Sequence, residues 1–154
     1  MIKNIFFIFV FLFTTNCGYE SIYSKKGQQT IFIDQVIFNG DKKIDRQILS
    51  QLPVQINNGN NTGLSLNLKS KKNIASASKD SAGNTKIYIL TLKMEISLMK
   101  DKKIVKTKNF ESSFSYNNTS NKFKLNQYQS NIEQNLIDII SEKISIYLIS
   151  VNDN

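Results

Sequence analysis

The residue best suited to covalent chemistry is Cys17, the only cysteine in this 154-residue chain. A basic start at Lys3, an apolar run over residues 5–13 and the small polar residues 14–16 precede it. This pattern indicates a secretory signal peptide. As a helix the apolar run spans about 14 Å at about 1.5 Å per residue, less than half of a hydrocarbon core of about 30 Å. We therefore expect a signal peptide that is cleaved after residue 16, directly before Cys17.

The segment around Cys17 resembles a lipobox, the motif in which bacterial lipoproteins carry their lipid-modified cysteine. That motif usually has a branched apolar residue three positions before the cysteine and Gly or Ala directly before it, where this chain has Thr14 and Asn16. The alternatives are an ordinary thiol after a plain signal peptide and an uncleaved N-terminal anchor. Gly18 stands where an Asp would favour retention in the inner membrane. We expect an acylated (palmitate-bearing) protein on the periplasmic side of the outer membrane of a Gram-negative bacterium.

Composition excludes several kinds of catalytic and cofactor site. The chain has no His, and its single Cys cannot form an intramolecular disulfide. The usual ligands of zinc, copper and haem and the usual proton shuttle are therefore missing. We find neither an acidic cluster with the spacing of a calcium loop nor a glycine-rich phosphate loop. The sequence argues against an enzyme, and we predict no metal and no cofactor.

Net charge points to an acidic partner. The 20 basic and 12 acidic residues give a formal charge of +8, and export leaves phospholipid head groups, lipopolysaccharide phosphates and acidic proteins as partners. Aromatic residues among lysines near 110–128 would suit base stacking, but the predicted compartment argues against nucleic acid. Two groups of lysines are the candidate contacts for lipopolysaccharide phosphates: Lys69, Lys71 and Lys72, and Lys102, Lys103, Lys106 and Lys108. The alternative is that these lysines only keep exposed strand edges solvated and so discourage pairing with another chain.

The first elements of the exported domain are predicted to be a strand and a helix. β-branched and aromatic residues over 30–38 indicate the strand. Asp41 can cap the helix, whose apolar positions lie on one face, and Pro53 ends it. Residues 55–63 are rich in Asn and Gly and predict a loop.

Three further strands and a helix follow. Alternation predicts a strand from Leu64 toward Ile74, and small polar residues over 75–84 predict a turn or loop. The clearest pattern is the alternation from Thr85 to Leu98, whose apolar face is expected to be core, an acyl-chain groove being the alternative. A turn at 100–103 leads into a strand over 104–116 that pairs with it as a hairpin. One face of this strand is aromatic, with Phe110, Phe114 and Tyr116. From about residue 126 the spacing predicts a terminal helix, whose apolar stripe consists of Tyr128, Ile132, Leu136, Ile139 or Ile140, Ile144 and Leu148.

These elements predict an α+β fold in the order β-α-β-β-β-α. Each element has one apolar side, which favours a four-stranded sheet with two helices packed on one face. The expected organisation is a signal peptide over 1–16, a lipidated tether over 17–29 and a single domain over 30–154.

The order of these elements, together with the opening segment Cys17 to Tyr23, resembles the lipopolysaccharide-assembly lipoprotein family (LptE-like). The resemblance spans nearly all of the mature chain, through Cys-Gly and the aromatics Tyr19 and Tyr23, the aromatic strand that ends at Tyr116 and the terminal helix. It implies a small subunit that plugs and helps assemble a large outer-membrane β-barrel and aids delivery of lipopolysaccharide to the outer leaflet. It implies no catalysis.

Two functions remain open at this point. One is the translocon plug and assembly factor, and the other is a free-standing envelope lipoprotein that binds anionic lipid or another envelope component. A lipid-anchored enzyme is a remote third.

Overall fold

The computed structural model describes residues 30–57 and 62–152. The predicted signal peptide (1–16) and tether (17–29), and Cys17 with them, lie outside the described residues. The described elements, in chain order, are β1 (Ile31–Ile33), β2 (Gln35–Phe38), α1 (Lys42–Leu49), β3 (Val54–Ile56), β4 (Leu64–Lys79), β5 (Thr85–Lys100), β6 (Lys103–Asn117) and α2 (Lys122–Asn152).

The main layer is a four-stranded sheet in the order β2-β4-β5-β6. β2 runs parallel to β4, whereas β4, β5 and β6 are antiparallel to one another. Both helices pack on one face of this sheet and contact each other. The predicted α+β class and the long β5–β6 hairpin are therefore confirmed, and so is the order β-α-β-β-β-α for the strands of this sheet and the two helices.

The core lies between that sheet face and the helices. In β5, alternate side chains from Leu90 to Ile96 are no more than 1% exposed, because α2 covers them. The expectation that this face is core is therefore confirmed. On α2 the buried stripe includes Ile140 at 0% exposure, whereas Ile139 is 43% exposed, which decides between the two positions that the sequence left open. Among the described residues, no helix is long and apolar enough to cross a membrane.

A close approach of backbone to backbone holds α1 against β4. Asp41 caps the helix, because its carboxylate accepts hydrogen bonds from the N–H groups of Lys43 and Ile44. The buried carboxylate of Asp45 accepts from the N–H groups of Gly40 and Ser70, each at 3.0 Å. A Cβ at Gly40 would lie 2.1 Å from the Ser70 nitrogen, so only glycine fits there.

The structure corrects the N-terminal predictions at two points. The strand expected over 30–38 is divided at Asp34 into β1 and β2. Residues 54–56, partly predicted as loop, form β3, which pairs in parallel with β1. Composition suggested a loop because Asn and Gly dominate the segment from Asn57 onward. β3 forms nonetheless, because β1 lies alongside and pairs with it.

Two boundaries later in the chain are also wrong. β4 runs on to Lys79, although residues 75–79 were predicted as loop, because those small polar residues pair with β5. α2 begins at Lys122 and not near residue 126, since the Asn121 side chain accepts a hydrogen bond from the Lys124 N–H at 3.0 Å and caps it. The β-branched end of α2 stays helical through Asn152.

Candidate functional site

The face of the sheet that the helices leave uncovered is polar along the middle of all three long strands. We call it the open face. It carries the alternate residues that do not point into the core, and β5 contributes Thr91, Lys93, Glu95 and Ser97 to it. Its other central residues are Ser65, Asn67, Lys69, Lys71 and Asn73 of β4, and Thr107, Asn109, Glu111, Ser113 and Ser115 of β6.

A shallow cavity of about 590 Å³ lies on this open face and collects three lysines. Lys69 and Lys71 of β4 line it together with Lys93 of β5. Register explains the grouping, because Lys71 is directly opposite Lys93 and Lys69 is opposite Glu95. The structure thus places two of the seven predicted lysines side by side and adds a third.

Carboxylates temper the positive charge of the cavity. Glu95 and Glu111 also line it, and Glu111 forms an ion pair with Lys93 at 3.1 Å. Both partners are more than half exposed, so the pair is weak and easily exchanged for another anion. Among the described residues no carboxylate lies within 4.0 Å of Lys69 or Lys71. These two lysines are the side chains of the open face best placed to contact phosphate.

Lys72, the third lysine of that predicted group, lies on the opposite face of the sheet. Its position in the alternation of β4 directs it toward α2, where its Nζ is 2.6 Å from the Glu133 carboxylate. Lys43 of α1 is also 3.9 Å from Glu133. A group that was contiguous in sequence is therefore divided between two surfaces, and Lys72 joins strand to helix.

The second predicted group of lysines lies at the far end of the β5–β6 hairpin, away from the open-face cavity. Lys102 is in the turn with φ 66°, and Lys103 begins β6 opposite Lys100. Lys106 and Lys108 are opposite Leu98 and Ile96, so they share the helix side of this edge strand. All four predicted lysines of this group are exposed.

Asp34 fixes the backbone that supports this end of the hairpin. Its carboxylate accepts hydrogen bonds from the Thr62 N–H at 2.9 Å, the Thr62 hydroxyl at 2.8 Å and the Gly63 N–H at 2.8 Å. These hydrogen bonds, of which those from Thr62 contribute most, hold the pKa of Asp34 below its usual value of 3.8. The Gly63 carbonyl in turn accepts a hydrogen bond from the N–H of Asp101 in the turn, at 2.9 Å.

The predicted aromatic face of β6 is used for packing at the other end of the sheet. Tyr116 stacks on Tyr88 with ring centroids 5.6 Å apart and meets Tyr128 of α2 edge to face at 6.2 Å. Burial raises the pKa of Tyr116 above 10.0, and its hydroxyl oxygen accepts a hydrogen bond from Gln129 at 2.8 Å. Phe114 on the same face remains 46% exposed.

Sequence reasoning missed two lysines that belong to these surfaces. Lys93 joins the open-face cavity, and Lys100 lies at the hairpin end with Lys106. Both were assigned to β5 or its turn, but the sequence pattern does not reveal which residue of another strand lies opposite. With the turn placed at Asp101 and Lys102, counting outward along the hairpin would have paired Lys100 with Lys103.

Comparison with known proteins gives matches in structure alone. No protein-family model matches the chain, and no curated protein sequence matches it. Rare lipoprotein B from Shewanella oneidensis has a TM-score of 0.60 at 18% identity, covering 78% of this chain and 97% of that protein. A minor lipoprotein from Acinetobacter baumannii has a TM-score of 0.56 at 15% identity, covering 80% and 95%.

A third similar structure, of a protein from Caulobacter crescentus that is also described as a lipoprotein, has a TM-score of 0.52. It is 15% identical, and the match covers 77% of this chain and 88% of that protein. At sequence identities of 15–18%, the similarity shows a shared fold and nothing more. The chain therefore has the fold of rare lipoprotein B and the minor lipoprotein.

Proposed function

We propose that this protein is an outer-membrane lipoprotein, anchored through Cys17 on the periplasmic side, that plugs and helps assemble a large β-barrel lipopolysaccharide translocon. In this role it aids delivery of lipopolysaccharide to the outer leaflet and performs no catalysis. The fold that it shares with lipoproteins of Shewanella oneidensis and Acinetobacter baumannii supports an envelope lipoprotein. A shared fold does not by itself imply a shared function, so the translocon role is argued from the surfaces of this chain.

The observation that carries the proposal is the polar open face of the sheet. Its 16-residue strand β5 spans about 50 Å at about 3.3 Å per residue, longer than a hydrocarbon core of about 30 Å. The interior wall of a wide barrel is polar, because lumen-facing and lipid-facing residues alternate along its strands. A rigid sheet with one face buried under helices and the other lined by Ser, Thr and Asn is suited to contact such a wall.

The open-face cavity supplies the proposed contact with lipopolysaccharide. Lys69 and Lys71 would bind its phosphates as flexible point charges, and Lys93 would join them by exchanging Glu111 for the ligand. Lys72 is less suited to this role because Glu133 already neutralises it.

Extraction in mild detergent tests the plug. Tagged protein is expected to bring with it a large heat-resistant barrel. A variant that places bulk on the open face, Ser113→Tyr with Ser115→Tyr, should lose most of that barrel, since both residues are exposed there. The matched control is Asn131→Tyr with Asn135→Tyr on the solvent side of α2, which should retain it. Recovery of the wild-type protein alone would overturn the proposal and favour a free-standing lipoprotein.

Binding of purified lipopolysaccharide to the detergent-solubilised protein tests the cavity separately. Lys69→Glu with Lys71→Glu should weaken binding, and the binding that remains should depend less on salt. Lys122→Glu with Lys124→Glu, at two exposed positions at the start of α2, makes the same change in net charge; it serves as the control and should leave binding unchanged. Equal losses in both variants would show that bulk charge, and not the cavity, attracts the glycolipid.

A further inference from the structure

The end of the β5–β6 hairpin combines exposed apolar side chains with a concentration of lysine. We call residues 99–106 the hairpin tip. Ile104 is 64% exposed and Val105 is 58% exposed. Lys100, Lys102, Lys103 and Lys106 surround them, with Asp101 as the single carboxylate.

A β-bulge creates this arrangement. Leu98 is opposite Lys106 but Met99 is opposite Ile104, so Val105 is an extra residue without a partner in β5. Ile104 therefore lies on the open-face side of the strand, whereas Val105 borders a cavity on the helix side. The hairpin tip therefore presents an apolar side chain on each side of the strand.

The tip is held in a fixed position. Asp101 and Lys102 both have positive φ, 49° and 66°, which is the backbone of a tight hairpin turn that usually contains glycine. Gly63 anchors the turn, because its carbonyl accepts the Asp101 N–H at 2.9 Å. A Cβ at Gly63 would lie 2.8 Å from the Asp101 carboxylate, so the two segments are in close contact. The lysines of the tip are therefore presented by ordered backbone.

The described chain begins at this same end of the domain. Ile31 of β1 lines a cavity of about 440 Å³ together with Val105 and Lys106, and Leu148 and Val151 of α2 complete its apolar wall. Between Cys17 and Thr30 the chain can reach at most about 45 Å when fully extended. A lipid on Cys17 would therefore keep the hairpin tip within reach of the membrane surface.

We propose that the hairpin tip docks on the anionic phospholipid surface of the membrane that holds the lipid anchor. Ile104 and Val105 enter the head-group boundary, and the lysines contact phosphates, each favouring the bound state about fivefold near an anionic surface. This inference rests on the proposed anchor at Cys17. Docking would orient the domain, since it adds a second membrane contact to the one proposed at Cys17 and leaves the open face free for a barrel.

Tryptophan fluorescence tests the docking, because the chain contains no Trp and an introduced one reports only its own position. The full protein with Val105→Trp is reconstituted into vesicles of phosphatidylethanolamine and phosphatidylglycerol with brominated acyl chains. The matched control is Phe123→Trp, at a position 77% exposed at the start of α2. Bromine should quench the fluorescence of the Val105→Trp protein strongly and that of the Phe123→Trp protein little. No quenching in the Val105→Trp protein, or equal quenching in both, would overturn the docking.

Charge reversal identifies the partner surface. In the Val105→Trp background, Lys102→Glu with Lys103→Glu should abolish quenching, whereas Lys79→Glu with Lys86→Glu, at two exposed positions at the other end of the sheet, should preserve it. If quenching requires lipopolysaccharide in the vesicle, the tip binds glycolipid and the phospholipid proposal is wrong.

Failure of the anchor can be told apart from failure of the docking. Intact mass without acyl groups would overturn the anchor, and quenching after addition to preformed vesicles would still measure the affinity of the tip. A lipidated Val105→Trp protein that co-purifies with a barrel but shows no quenching would retain the proposed function and overturn only the docking.

Discussion

The two faces of the four-stranded sheet come from the same strands but have opposite chemistry. In β5, Leu92 is 0% exposed beneath α2, whereas its neighbour Lys93 lies on the open face with 59% of its side chain exposed. Successive side chains of a strand point to opposite faces, so one 16-residue strand contributes both to the core and to the open face. Substitutions one residue apart should therefore separate stability from partner binding.

The largest expected effect is on the covered face. Leu92→Ala should lower the free energy of unfolding by about 3 kcal/mol, because it removes buried methyl groups and leaves a cavity under α2. Thr91→Ala on the open face should change it by no more than about 1 kcal/mol, the difference in strand propensity between the two residues. Urea denaturation of both variants measures the difference. Similar losses would mean that the open face is also packed, against the division into two faces.

A smaller loss is expected where α1 joins the covered face. Asp45→Ala should cost about 2 kcal/mol, because the N–H groups of Gly40 and Ser70 would lose their acceptor in a buried setting. Hydrogen exchange of those two amides should accelerate along with the loss of thermal stability. The control is Asp138→Ala on α2, which should have a much smaller effect because Asp138 accepts only exposed side-chain hydrogen bonds, from Gln51 and Gln134. An unchanged exchange rate at Ser70 would contradict the bridging role of Asp45.

The smallest effect separates two adjacent lysines. Lys72→Gln removes the ion pair with Glu133, whose side chain is only 15% exposed, and should cost somewhat less than about 1 kcal/mol. Lys71→Gln should leave the free energy of unfolding unchanged within the error of urea denaturation. Lipopolysaccharide binding should show the reverse order, with the loss confined to Lys71→Gln. If both variants lose binding equally, the assignment of the two lysines to different surfaces has no functional meaning.

The fold class could be predicted because alternation and helical spacing are properties of the local sequence. The apolar residues from Leu90 to Ile96 recur with period two, and the stripe of α2 recurs with the helical period, so each element reveals which side it buries. Asp41 and Pro53 likewise marked α1 from within a few residues. The α+β order followed from these patterns without any long-range information.

The boundaries that failed depended on a neighbouring segment. Residues 75–79 of β4 have no apolar alternation and become a strand because β5 lies alongside to pair with them. β3 exists because β1 lies alongside and pairs with it in parallel. Propensity cannot report a partner that is distant in sequence, and tertiary context overrides it at these positions.

The chemistry of the lysines was determined at both levels. The sequence by itself determined that the chain is basic and that β5 has one apolar and one polar side, and it predicts that a lipid is attached at Cys17. Only the tertiary structure decided that Lys93 joins Lys69 and Lys71, that Lys72 faces Glu133, and that a bulge exposes Val105 at the hairpin tip. The physical reason is register, because pairing between strands sets which side chains meet, and one extra residue reverses the faces beyond it.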